Sequence, residues 1–407
     1  MSAAPKRLFE PLTLGPVTLR NRTLRAAAFE GMAGGNRPTP ALVAYHRAVA
    51  AGGIGMTTVA YAAVERGGLT FGHQLLLRDE IVPALRELTD AVHREGARAS
   101  IQIGHAGNMA SLGVTRQWPM APSSRPNLYG PTWPRAMTKA DIGRLVGSFA
   151  RATRIARDAG FDAVEIHAGH GYLISQFLSP ATNRRRDAYG GSLEGRMRLM
   201  REVMQAVLAA AGGELAVLVK MNLSDGFQGG QSLDDAIVIA RTLEVDGVHA
   251  LVLSGGFVSR SPMFILRGRM PMEIMARYAG RPLLGPFMRL AGPVLVPEVP
   301  YQDTYFLTQA SAVRGAVGLP LVYVGGVASR AAALRVLDAG FDAIAMARAL
   351  IREPDFVRRL ASEDDALSPC DHCNYCAARI YGTHMACYQI DPPSPSELRF
   401  IRPARSP

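Results

Sequence analysis

The chain has 407 residues, a formal net charge of +11, 48% hydrophobic residues and 19% charged ones. This is the profile of a soluble globular protein with a sizeable core, and no apolar run is long enough to cross a bilayer. The basic residues are scattered over predicted helix faces instead of forming a Lys/Arg block, which argues against nucleic acid as a partner and leaves a mild advantage for anionic cofactors or substrates.

The N-terminal Met-Ser-Ala-Ala-Pro-Lys-Arg shows no signal-peptide pattern, so cytoplasmic residence is expected. Residues 9–22 read as a short hairpin that caps a barrel floor. Short apolar runs then recur at Leu24–Met32, Met56–Val64, Ala99–His105, Ala163–His167, Ala216–Leu223, Ala250–Gly255, Leu321–Gly325 and Ala343–Leu350. They are rich in Val, Ile and Ala without polar alternation, as strands buried on both faces are. Helical stretches at Thr138–Ala159, Leu193–Ala211, Leu233–Val245 and Ser329–Ala339 fall between them. Thr138 and Ser329 are capping residues, and Gly160 and Gly340 are stops. Eight β-then-α units predict an α/β fold, a (β/α)8 TIM barrel. The alternative, an open doubly wound sheet, would need fewer strands and an early glycine fingerprint, and the sequence has none.

Two segments interrupt the rhythm at the C-terminal ends of strands, where barrel enzymes build their sites. Residues 106–136 form a Pro/Trp/Ser-rich loop after the third strand. Residues 257–302 form an apolar, Pro- and Met-rich insertion after the sixth, expected to be a lid or substrate wall, with an oligomer contact as its second reading. The expected division is a barrel over 1–364 and a cysteine-rich segment with its tail over 365–407.

The most informative stretch is Glu165-Ile-His-Ala-Gly-His-Gly-Tyr-Leu-Ile-Ser-Gln-Phe-Leu-Ser-Pro, followed by Asn183-Arg-Arg-Arg-Asp-Ala-Tyr-Gly-Gly-Ser192. It starts where the fourth strand opens into the barrel mouth. His167 and His170 can together donate hydrogen bonds to a carbonyl oxygen and polarise it for hydride attack on the conjugated carbon. Tyr172 carries a phenol that can deliver a proton to the opposite carbon. A lone histidine is more often a core residue, but two ahead of Gly-Tyr at a strand end favour function. Asn183, Arg185 and Asp187 read as a structural clasp.

This stretch resembles the signature of the old yellow enzyme family. Supporting pieces follow in order: Leu19-Arg-Asn-Arg22, Gln102-Ile-Gly-His-Ala-Gly107, Lys220-Met-Asn222, Ser254-Gly-Gly256, Gly325-Gly326, Met346-Ala-Arg348 and Glu353-Pro-Asp355. The similarity covers roughly residues 7 to 360. It implies an FMN-dependent oxidoreductase in which NAD(P)H supplies electrons for reduction of an activated C=C bond in an enone or enoyl-type small molecule. His167 and His170 would hold the carbonyl and Tyr172 would donate the proton. Gln102 would bond the flavin pyrimidine edge, and Lys220 would stand near N1/O2 to stabilise the anionic reduced ring. Gly325, Gly326, Ala347 and Arg348 would hold the phosphate. Ala27, Ala28 and Ala60 would contact the ring through backbone, and Gly256 would also line the cofactor. Two departures stand out. Phe29 takes the place where relatives carry a residue bonding the flavin C4 oxygen, and Asn108 replaces the arginine of the usual Ala-Gly-Arg.

All four cysteines lie in one segment, Cys370-x2-Cys373-x2-Cys376-x10-Cys387. A tight thiolate triplet with a distant fourth suits a [4Fe–4S] cluster. Zinc, with His372 and His384 as substitute ligands, and a metal-free vestige remain alternatives. The segment resembles that of trimethylamine dehydrogenase and, less closely, 2,4-dienoyl-CoA reductase. That resemblance keeps open an FMN/iron–sulfur dehydrogenase that oxidises a small substrate and passes electrons to a redox partner protein. It also leaves a non-catalytic FMN/Fe–S electron carrier, which has no need of the histidine pair. A homo-oligomer is a further expectation.

Overall fold

The computed structural model describes residues 7–127, 132–280 and 285–395. Small parts of the two interrupting segments and most of the C-terminal tail therefore lie outside the described residues. Eight parallel strands close into a barrel: β1 (Thr23–Arg25), β2 (Met56–Ala63), β3 (Arg98–Gly104), β4 (Ala163–Ala168), β5 (Ala216–Asn222), β6 (Ala250–Ser254), β7 (Leu321–Val324) and β8 (Ala343–Met346). Each strand pairs with its sequence neighbour, and β8 closes on β1 through Ile344↔Thr23. The barrel expected from the eight buried runs is therefore the fold of this chain.

Helices alternate with the strands: α1 (Pro40–Ala51), α2 (Val82–Arg94), α3 (Lys139–Asp158), α4 (Leu193–Ala211), α5 (Leu233–Val245), α6 (Leu307–Arg314), α7 (Arg330–Asp338) and α8 (Phe356–Ser362). Their N-termini follow local chemistry. Thr138 and Asp141 form a reciprocal capping box on α3, and Ser192, Ser232 and Ser329 each accept a backbone N–H three residues on. The apolar stripes of these helices and the outward faces of the strands make the main core.

Two strands stop several residues before their apolar runs end. β1 ends at Arg25 and β8 at Met346, after which Arg348–Arg352 is already helical. Buried residues continue through both exits, so hydrophobicity alone does not mark where the ladder stops.

The inward positions change character along the barrel axis. The lower ones, including Leu24, Met56, Ala163, Ala216, Ala250, Val322 and Ala343, cluster with Leu12, Leu14, Val17 and Leu19 of the N-terminal hairpin. The hairpin pairs Leu12↔Leu19 and turns at Gly15 (φ +54°), so it plugs the floor as expected. A Cβ at Gly15 would come within 2.5 Å of the His249 ring. The upper inward positions are polar: Gln102, Glu165, His167, Lys220 and Asn222 are all buried.

The insertion after β6 contains helices at Pro262–Leu266, Met272–Tyr278 and Gly285–Leu295. Met263, Met270, Met272 and Ile274 share a small core with Cys373, Tyr375 and Ala378, so the cysteine segment packs on the insertion. Phe287, Leu290 and Val294 form an exposed apolar row on its last helix. No helix among the described residues is long and apolar enough to cross a membrane.

A buried ion pair fixes the chain as it leaves β1. Arg25 Nη1 lies 2.6 Å from Glu30 Oε1 and donates to Thr58 O at 2.6 Å, while Nη2 donates to Ala28 O at 2.8 Å. The Glu30 carboxylate accepts the Ala60 N–H at 3.1 Å, and His46 Nε2 lies 3.3 Å away. Glu30→Ala would strand the Arg25 guanidinium and should lower the unfolding free energy by about 3–5 kcal/mol. The paired Arg25→Met/Glu30→Gln change should cost clearly less, as read by urea denaturation; a double variant no more stable than the single one would refute the pair as the cause.

Candidate active site

The site is built on the polar upper layer of the barrel. Register places Glu165 beside Gln102 and His167 beside Lys220, so all four side chains face inward at neighbouring heights. Gln102 Nε2 donates to Glu165 Oε1 at 2.6 Å, and Lys220 Nζ lies 2.8 Å from the same oxygen. Burying an ammonium is costly unless it is paired. Glu165 supplies that pairing, and Lys220 Nζ makes no further hydrogen bond. Glu165 is not among the site residues expected from the sequence, although it is the lone acidic residue inside the apolar run Ala163–His167.

Above this layer the chain turns sharply. His170 takes φ +60° and Gly171 φ +78°, and a Cβ on Gly171 would meet the Phe257 ring at 2.4 Å. Asn222 Oδ1 accepts the His170 N–H at 2.9 Å, and His170 O accepts from Val258 at 3.0 Å. The turn brings the expected catalytic residues together. The His167 and His170 rings meet edge to face at 5.1 Å, and the His167 and Tyr172 rings lie 4.3 Å apart. Tyr61 on β2 completes the cluster at 4.9 Å from Tyr172, with its hydroxyl 2.6 Å from Thr70 Oγ1. Nothing in a buried strand run marks an inward tyrosine in advance, so Tyr61 was not foreseen.

The electrostatics favour neutral rings. Burial, followed by the His170 and Lys220 charges, holds His167 well below the ordinary histidine range. Burial and Lys220 push His170 down to about 3. Burial and Tyr61 hold the Tyr172 phenol well above its usual value, and burial raises Tyr61 to about 12. At neutral pH the site therefore presents two uncharged imidazoles and a protonated phenol. His170 Nε2 lies 2.7 Å from Ser254 Oγ. His167 Nδ1 accepts the Gly169 N–H at 3.4 Å, which makes Nε2 its N–H donor.

An aromatic wall stands beside this cluster. Phe29 stacks on Phe71 at 5.1 Å, His73 lies 5.6 Å from Phe29, and Tyr381 meets Phe71 edge-on at 5.7 Å. Tyr381 comes from the cysteine segment. His73 Nε2 donates to Ile380 O at 2.9 Å and ties the two segments together. Phe29, conspicuous in the sequence as a departure, thus belongs to an apolar stack.

The remaining candidates distribute as follows. The Ala60 N–H and Ala28 O are already engaged by Glu30 and Arg25. Gly325 and Gly326 (φ +141° and +74°) abut Phe306 and Tyr305, and Cβ atoms there would come within 2.8 and 2.7 Å of protein atoms. Gly256 lies against Ile265. Arg348 follows Ala347 at the start of the turn after β8 and donates to Asn374 Oδ1 at 2.9 Å. Arg267, not foreseen, lies near the same β7 glycines, its guanidinium 4.5 Å from the Tyr305 ring centre. Asn108 donates its backbone N–H to Gln176 at 3.1 Å. In the clasp, Arg185 pairs with Asp187 at 2.6 Å and donates to Met137 O at 2.6 Å.

Cys370, Cys373, Cys376 and Cys387 form no disulfide among the described residues. Burial lifts Cys373, Cys376 and Cys387, with Cys376 reaching about 12, and the Cys370 charge adds to the rise at Cys376 and Cys387. The four are thus electrostatic neighbours. Among the described residues, no three His, Cys, Asp or Glu side chains converge closely enough to hold a metal ion.

Comparison with known proteins places this site in a family. A model described as the NADH:flavin oxidoreductase / NADH oxidase family matches residues 7–255, and the chain belongs to that family of FMN-dependent NAD(P)H oxidoreductases. The 4,4'-dithiodibutanoate disulfide reductase of Rhodococcus erythropolis is 42% identical over 94% of this chain and 95% of its own length. The metal reductase of Desulforamulus reducens is 32% identical over 90% of this chain, which spans 50% of that protein. Among solved structures, the old yellow enzyme homologue from Zymomonas mobilis superposes with a TM-score of 0.72 at 25% identity, covering 92% of this chain and 96% of that one.

The depressed histidines carry a stability signature. Below about pH 6.5 the unfolded chain binds protons that folded His167 and His170 do not, so stability falls as pH drops. Between pH 7 and pH 5 the loss is roughly 2 kcal/mol for His170, with a further loss in the same direction from His167. His170→Asn should remove about that much of the loss in urea denaturation at the two pH values, whereas an undiminished loss would mean that His170 is not held neutral.

Proposed function

We propose that this oxidoreductase uses NAD(P)H and FMN to reduce an activated C=C bond, in an enone or enoyl-type substrate, at the His167–His170–Tyr172 cluster. The observation that carries the reading is the juxtaposition of two neutral imidazoles with a protonated phenol above the polar barrel layer. The residues present fit the cofactor. Arg267 Nε is buried without a hydrogen-bond partner among the described residues, and Lys220 Nζ is paired with Glu165 alone, which leaves donors for an anionic ligand. Gln102 and Lys220 would meet the pyrimidine end, and Ala27, Ala28, Ala60 and Gly256 would line the ring. Gly325, Gly326, Ala347 and Arg348 would hold the phosphate. When bound, the flavin relays a hydride from NAD(P)H to the substrate.

The chain's own residues do the rest. His167 Nε2–H and an N–H of His170 grip the carbonyl oxygen, and as neutral donors they polarise it without giving up a proton. Tyr172 supplies the proton that completes hydrogen addition at the second carbon, and solvent restores the phenol. Phe29, Phe71, His73 and Tyr381 exclude water on one side and favour a flat, apolar substrate body.

A second reading is favoured by the 42% identical relative, which is named for reducing a disulfide. The same hydride and Tyr172 proton would cleave an S–S bond to two thiols, with the histidine N–H groups steadying the departing thiolate. The cysteine segment, with four thiols at x2, x2 and x10 spacing, has the donor chemistry of a [4Fe–4S] cluster that could exchange electrons with a carrier protein. Zinc or no metal are the other outcomes for it.

Tyr172→Phe should slow alkene reduction by about 10²- to 10⁴-fold while NAD(P)H still bleaches the flavin at the wild-type rate, as read by anaerobic stopped flow. An unchanged alkene rate would refute the assigned donor, and turnover of an organic disulfide with inertness toward every enone would move the assignment to the second reading. Metal and acid-labile sulfide analysis of anaerobically purified protein should give about four iron atoms per chain. Zinc, or no metal, in place of iron would reduce the thiols to a structural role.

A further inference from the structure

We propose that Arg267, delivered by the insertion after β6, is a second guanidinium of the FMN phosphate site, and that Asn374, between Cys373 and Cys376, locks it together with Arg348. The inference rests on the FMN reading above and extends it to residues which neither the motifs nor the family resemblance assigns.

The Arg267 guanidinium carbon lies 5.1, 4.5 and 5.6 Å from the ring centres of Phe264, Tyr305 and Phe306. Its Nε is shielded from solvent without a hydrogen-bond partner among the described residues. The same two rings, Tyr305 and Phe306, are what Cβ atoms on Gly325 would strike at 3.1 and 2.8 Å, and Tyr305 also closes on Gly326 at 2.9 Å. Arg267 is therefore about one aromatic ring away from the β7 glycine loop. Arg348 approaches from the other side, 5.9 Å from the Tyr301 ring, and both arginine charges act on Tyr305. Two guanidiniums that both act on the buried Tyr305 ring also repel each other, the more so where burial weakens solvent screening. A dianionic phosphate monoester between them removes that repulsion and suits their planar donor forks.

Asn374 holds this arrangement. It is buried and takes the left-handed conformation at φ +61°, which asparagine tolerates better than most residues. Its Nδ2 donates to Arg267 O at 2.7 Å and Arg269 O at 3.2 Å, and its Oδ1 accepts from Arg348 Nη1 at 2.9 Å. One amide thus bridges the insertion, the turn after β8 and the cysteine segment. By this account the cysteine segment is a wall of the cofactor site.

The test compares FMN with riboflavin, which lacks only the phosphate, by fluorescence titration of flavin-stripped protein. Arg267→Gln should weaken FMN about tenfold to a hundredfold and leave riboflavin affinity unchanged, with Arg267→Lys intermediate. Asn374→Ala should also weaken FMN selectively. Equal loss on both flavins would show a merely structural role for Arg267, and FMN binding as tight as wild type in Arg267→Gln would likewise overturn the proposal. Wild-type protein that binds neither flavin would instead sink the FMN reading itself, so the two failures are distinguishable.

Discussion

A barrel closed on itself has no second layer against which to bury its inner face, so the side chains pointing inward must satisfy one another. In the lower half small apolar residues and the hairpin do this by packing. In the upper half carboxylates do much of it, Asp225 holding Asn222 and Glu165 holding Gln102 and Lys220. Glu165 accepts from Gln102 and pairs with Lys220, offsetting the cost of burying both polar groups where water cannot reach. The rest of the site follows from that pairing. Lys220 is held at the height of His167, and its charge helps keep both histidines neutral.

The mouth is assembled from segments distant in sequence. The turn after β4 contributes the histidines and Tyr172, β2 contributes Tyr61, and the exit of β1 contributes Phe29. The C-terminal segment contributes Tyr381 and Asn374. That last contribution changes how the cysteines are seen. Cys373 shares a core with the insertion, and with Cys376 it flanks the Asn374 amide that holds Arg348, so the segment is tied to the barrel at both places. Any change in the order of that segment is transmitted to the pocket through hydrogen bonds and ring contacts already in place.

The barrel itself was legible in the sequence, because strands buried on both faces leave continuous apolar runs and capped helices leave Ser or Thr at their starts. Strand ends were less legible: β1 and β8 stop several residues before their apolar runs do. His167, His170 and Tyr172 were found because they are close in sequence and sit at a strand exit. Glu165 was visible but unread. Tyr61, Tyr381, Arg267 and Asn374 left no local trace, since each gains its role only from a partner far along the chain.

What the sequence determined by itself was the repeating βα pattern, the polar identity of the upper inward positions and the histidine–tyrosine motif, all properties of residues within one turn or strand of each other. What only the tertiary structure decided was which distant residues meet there: that Arg25 finds Glu30 and Ala60, that the cysteine segment packs against Phe71 and His73, and that Arg267 and Arg348 both act on the tyrosine beside the β7 glycines. The physical reason is that local propensity and hydrophobic period act over a few residues, whereas the closure of the barrel sets contacts between segments hundreds of residues apart.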